Sequence, residues 1–276
     1  MIHSSRQASS SLSTLVFWLA ALCLSCSAEP GGVVPIGGTS SGGAPSYGGT
    51  ATGGSPDAGS AGLAVANPLG RARCQPPPGM TGSPHTIEEA VALLSALPKP
   101  TSVACFVESL DRPFAAYATS SQVSAQPAFS ARSPRVFIKI DRLWLSIVLE
   151  GESSYLLELS YLVDELHSVK GELKTPILGP LAPSAPYDRV RQGEGTVCGV
   201  CHYGEERAAT VTFASAFAST PFRPRPDVHV ALDGLAAEAR VCDWVGEPRR
   251  CEMLSALFDG GAVTEESFPS TMPTFF

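Results

Sequence analysis

The chain has 276 residues, a formal net charge of −7 and a pI near 5.3. That balance excludes nucleic acid as a partner, because contact with a phosphate backbone needs a basic surface. Hydrophobic residues make up 44% and charged residues 16%, so the region after residue 70 is long enough to bury one full core or two small ones.

The N-terminus reads as an export signal. His3 and Arg6 give a weakly basic start, and the apolar run from Leu12 to Leu24 is too short to span a bilayer. Small residues follow, Ser25-Cys26-Ser27-Ala28. Cleavage after Ala28 would release a soluble protein, whereas cleavage before Cys26 would leave an N-terminal cysteine for lipid attachment. Leu24-Ser25-Cys26 resembles the lipobox of bacterial lipoproteins, with Cys23 where that box usually has leucine. The reading adopted is a lipoprotein-like signal over residues 1–28 with Cys26 as the lipid anchor. It implies an exported chain, periplasmic or held at the outer membrane. Residues 29–70 are rich in Gly, Ser, Thr, Ala and Pro. Such a segment buries too little to offset its ordering entropy and is expected to be a flexible tether.

Thr86-Ile87-Glu88-Glu89 predicts a helix start with a capping box. Ile87, Ala90, Val91, Leu94 and Leu97 then recur at helical spacing until Pro98 and Pro100. Val103 to Val107 reads as a strand carrying Cys105. Arg135 to Leu149 reads as two strands around Asp141-Arg142, the second apolar on both faces and therefore central. Gly151-Glu152-Ser153-Ser154 turns the chain into a further strand, Tyr155 to Tyr161, and Val169 to Leu173 adds another. Residues 71–180 are thus expected to form a small antiparallel sheet with a helix against it, an α+β domain. Pro176, Pro180, Pro183 and Pro186 mark its end.

Residues 181–276 are expected to be mainly helical. Gly234 to Val241 reads as one helix, and Pro248 opens another that runs to about Phe258 and stops at Gly260-Gly261. Export would place the cysteines in an oxidising compartment. Outside the signal and the motif described next, Cys74, Cys105, Cys242 and Cys251 remain. Three connectivities are open, and proximity favours Cys74 with Cys105 and Cys242 with Cys251.

The most informative stretch is Cys198-Gly199-Val200-Cys201-His202. C-x-x-C-H is the form by which a chain attaches a c-type haem. The two thiols add across two vinyl groups, the two-residue spacer matches the distance between the vinyls, and the adjacent imidazole of His202 ligates the iron. The bland readings are a C-x-x-C disulfide, a metal clamp, a dithiol couple, or a four-cysteine zinc knot with Cys242 and Cys251.

Over its last third the chain resembles c-type cytochromes on this motif and on Thr271-Met272-Pro273. The resemblance implies covalent haem c, a cytochrome-c-like helical region over 181–276, and Met272 as the second axial ligand. The family pattern continues with a helix after the methionine, which this chain has no room for. Met253, His229 and an open or water-bound site are the competitors. Arg223, Arg225 and Arg207 are candidate partners for haem propionates, with solvated arginines the plainer reading. The whole chain also resembles exported bacterial lipoproteins.

These residues imply an electron carrier rather than a catalyst, a haem c-binding protein at the cell envelope with a redox protein as partner. The alternatives are a non-haem envelope lipoprotein with a disulfide-stapled docking domain, or a haem peroxidase-type enzyme. No G-x-S-x-G elbow, phosphate loop or H-E-x-x-H pair supports other catalysis. Asp164, Glu165 and His167 suggest a metal but read better as a solvated surface.

Overall fold

The computed structural model describes residues 73–275. The signal run, both cleavage positions, Cys26 and the Gly/Ser-rich stretch lie outside the described residues. Two helices come first, α1 (Ile87–Ala96) and α2 (Val103–Glu108). Five strands follow, β1 (Phe114–Thr119), β2 (Arg135–Ile140), β3 (Leu143–Val148), β4 (Leu156–Leu162) and β5 (Ser168–Lys174). Next come α3 (Ala185–Val190) and the hairpin β6 (Arg191–Gln192) and β7 (Gly195–Thr196). Then follow β8 (Glu206–Arg207), β9 (Phe217–Ser219), β10 (His229–Val230), α4 (Leu232–Arg240), α5 (Pro248–Phe258) and β11 (Val263–Glu265).

The expected fold class does not hold. One mixed sheet runs β10-β1-β2-β3-β4-β5-β9-β8, and β11 lies parallel beside β1. The last third therefore supplies four strands to this sheet instead of forming a mainly helical cytochrome-like region. Strands of two or three residues are too short to carry a periodic signature, so pairing partners alone define them. Phe114–Thr119 escapes pattern reading for another reason: it is alanine-rich and largely buried on both faces. The segment carrying Cys105 is α2 rather than a strand. Ser102 Oγ accepts from Cys105 N at 3.1 Å and caps it, and a short apolar run cannot by periodicity be told from a buried strand.

At α1 the Thr86 hydroxyl accepts from Glu89 N at 3.2 Å, and the Glu89 carboxylate reaches back to His85 N at 2.6 Å. Between β2 and β3 the turn is Asp141-Arg142, with Asp141 at φ 54°, a left-handed conformation that Asp tolerates.

Strand alternation divides the sheet. Val136, Ile138, Leu145, Ile147 and Leu157 point to one face and, with Leu94, Phe106 and Leu254 from the helices, form the core. Each such buried side chain is worth about 1.5–3 kcal/mol. Two disulfides fasten the helical layer: Cys74–Cys105 ties the incoming chain to α2, and Cys242–Cys251 ties the exit of α4 to α5.

Candidate functional site

The second face of the sheet is the unusual one. Register places Phe137, Ser146, Glu158 and Glu172 side by side across β2, β3, β4 and β5, and Trp144, Ser160 and Lys170 in the next row. This face borders a cavity of about 380 Å³, within the range of small-molecule and cofactor sites, about 300–1,000 Å³. Its floor is charged, whereas its walls are aromatic: Phe137, Trp144, Phe222, Phe268 and Phe275. Phe268 stacks on Trp144 at 4.4 Å between centroids and meets Phe137 and Tyr117 edge-on.

Cys198, Cys201, His202 and Met272 all line this one cavity. The thiols ride on a 3-10 turn, Val197–Val200, not on the first turn of an α-helix. Thr196 starts that turn: its hydroxyl accepts from Cys198 N at 3.1 Å, and Glu205 in turn accepts from Thr196 N at 2.7 Å. A Cβ at Gly199 would stand 2.7 Å from the Glu205 carboxylate, so a bare spacer lets the carboxylate sit beneath the turn. Cys198 and Cys201 belong to neither disulfide. Burial, then the nearby Glu158, pushes the Cys198 thiol up to about 12, so it stays protonated.

His202 hangs from the end of the turn, its N–H donating to Cys198 O at 2.8 Å. Its Nδ1 lies 2.8 Å from the Thr220 carbonyl oxygen. A carbonyl only accepts, so Nδ1 carries the proton and Nε2 keeps its lone pair. Burial, reinforced by the charges of Lys170 and Arg135, pulls the imidazole down to about 3 and keeps it neutral.

Met272 comes from the C-terminal segment. It is buried, and its carbonyl accepts from Arg223 Nε at 2.9 Å. Arg223 N donates to Pro273 O at 2.9 Å and Arg223 O accepts from Phe275 N at 3.0 Å. The C-terminal segment is thereby held as a short strap along the chain that follows Thr220.

The other sequence candidates lie elsewhere. Met253 is in the α5 core, and His229 sits on β10 with Nε2 2.8 Å from Glu265; neither lines the cavity. Nor do the three arginines proposed for propionates. Arg225 pairs with Asp227, Arg207 donates to Ala214 O, and Arg223 holds the strap. Cys242 and Cys251 are bonded to each other, which removes the four-cysteine zinc knot. His167 pairs with Asp164, at 3.0 Å. Among the described residues no group of three or more His, Cys, Asp or Glu could hold a bare metal ion.

Sequence reasoning missed the charged floor. Arg135 donates to Glu158 at 2.5 Å, and Arg189 to Glu172 at 2.6 Å. Lys170 reaches Ser168 Oγ and Ser219 Oγ, each at 2.8 Å. The polar alternation of β4 and β5 was visible as a pattern, but only register aligns these charges.

No protein-family model matches the chain, and neither a curated protein nor a solved structure matches it significantly.

Proposed function

We propose that the chain is an exported haem c-binding protein that passes electrons at the cell envelope, anchored to the membrane through Cys26. The observation that carries this is the convergence of Cys198, Cys201, His202 and Met272 on one aromatic-walled cavity. Bound there, haem would supply a one-electron couple. Cys198 and Cys201 would hold it by adding S–H across two vinyl groups, each sulfur forming a thioether and each proton passing to vinyl carbon, so no oxidant is needed. His202 fits the ligand role because the Thr220 carbonyl fixes its tautomer and aims an unprotonated Nε2 away from the backbone. Met272 would offer its thioether as a second ligand, which favours the reduced state. Trp144, Phe268 and Phe222 exclude water, and a redox protein of the envelope would supply or accept the electron.

The test is the intact mass and alkaline pyridine spectrum of the chain made with a haem-attachment system. One thioether-bound haem per chain supports the reading. A bare polypeptide mass with no haem spectrum would leave the docking-domain alternative.

A second reading has a specific observation behind it. Lys170, Arg135 and Glu158 stand inside the cavity, where an electron carrier needs no acid or base. Were Met272 not a ligand, these groups could serve an open iron site of peroxidase type. Carbon monoxide binding to the reduced loaded protein separates the two: absence favours the carrier, ready binding the enzyme.

A further inference from the structure

The charges on the cavity floor do not balance locally. Arg135 is committed to Glu158 and Arg189 to Glu172. Glu205, just behind the motif turn, is committed to Thr196. Lys170 is left over. Its ammonium rests on two neutral hydroxyls, Ser168 Oγ and Ser219 Oγ, with the carbonyls of the same two residues at 3.5 Å. Among the described residues no carboxylate lies within ion-pair distance of it. Ser168 and Ser219 are direct register partners on β5 and β9, so the sheet itself sets the position of the ammonium.

A half-buried cation with no carboxylate in contact is better satisfied when an anion reaches it. The two hydroxyls at 2.8 Å take two of the three N–H donors of the ammonium, and the third meets only the carbonyls at 3.5 Å, which a closer anion can displace. Burial pulls Lys170 down to about 8, opposed at longer range by Cys198, Glu205 and Glu158.

We propose that Lys170 is the counter-ion for a carboxylate carried by the occupant of the cavity. This rests on the haem reading, under which the carboxylate is a propionate. It replaces the arginines that sequence suggested, all of which lie off the cavity. It also assigns the occupant an orientation: one carboxylate edge toward the β5–β9 side of the cavity.

The experiment compares ferric protoporphyrin IX with its dimethyl ester, which has the same ring and no carboxylates. Each is titrated into the full chain as wild type, Lys170→Met and Lys170→Arg. Wild type is expected to bind the acid more tightly than the ester by on the order of 10-fold or more, the worth of one charge-assisted hydrogen bond. Lys170→Met should lose that preference while keeping its affinity for the ester, and Lys170→Arg should keep it. Equal binding of acid and ester by wild type, or a preference that survives in Lys170→Met, overturns the assignment and leaves haem binding standing. No saturable binding of either porphyrin by wild type overturns both. If Lys170→Met does not fold, the wild-type and Lys170→Arg comparisons still decide.

Discussion

His202 Nδ1 and the carbonyl oxygen of Thr220 lie 2.8 Å apart, and this bond joins the motif turn to the strand-side segment that follows β9. It does two things at once. It selects the imidazole tautomer whose Nε2 is free, and it holds the ring against Phe222 and Phe275, at centroid distances of 5.3 and 6.5 Å.

Replacing that imidazole should therefore uncouple attachment from ligation. On the proposed haem reading, both thiols remain in His202→Ala, so thioether formation can still occur, but the iron would lose its proximal ligand. The haem yield per chain is expected to fall by about 10-fold or more. Pyridine spectra of wild type and variant, normalised to protein, measure this; an unchanged yield with an unchanged ferrous spectrum would remove His202 from the site.

Met272→Ala should leave the haem attached and change its electronics. The weak far-red band of a methionine–ferric bond is expected to vanish, and the reduction potential to drop, because a thioether stabilises ferrous iron. Spectroelectrochemistry reads both. Identical potentials in wild type and variant would show that the strap carries no ligand.

Arg250 is 1% exposed and binds Glu247 at 3.2 Å, Ser133 Oγ at 3.0 Å and Arg132 O at 2.7 Å, in addition to Glu238. It fastens α5 to the loop before β2. Arg250→Ala strands these acceptors and should cost about 3 kcal/mol in denaturant unfolding, with no effect on porphyrin affinity of the fraction that folds.

The Cys74–Cys105 bond closes a separation of 31 residues. The double change Cys74→Ser with Cys105→Ser is expected to lower stability by about 2–5 kcal/mol. Unfolding curves of wild type with and without reductant set the bound, since reductant opens both disulfides and should cost at least as much.

Stability should also depend on pH through Lys170, whose pKa falls from its ordinary 10.5 to about 8 through burial. Between those values the unfolded chain binds the proton and the folded chain does not, so stability rises with pH. The difference between wild type and Lys170→Met in apo form should therefore be flat below about pH 8 and shift in favour of wild type up to about pH 10.5. A difference that stays constant across this window refutes the burial of that ammonium.

What the amino-acid sequence determined by itself is local. Covalent spacing makes Cys198, Cys201 and His202 neighbours whatever the fold, a capping hydroxyl at Thr86 starts α1, and Asp141-Arg142 turns β2 into β3. These features depend on contacts a few residues apart, so a linear reading reaches them. Tertiary structure alone decided the rest. It built β8, β9, β10 and β11 into one sheet from short segments of a region expected to be mainly helical. It brought Met272 to the cavity of His202 and sent Met253 and His229 away from it. It also aligned Glu158, Lys170 and Glu172 on one face. Strand register and the choice of covered face are set by the summed burial of the whole core, a quantity that belongs to no single segment.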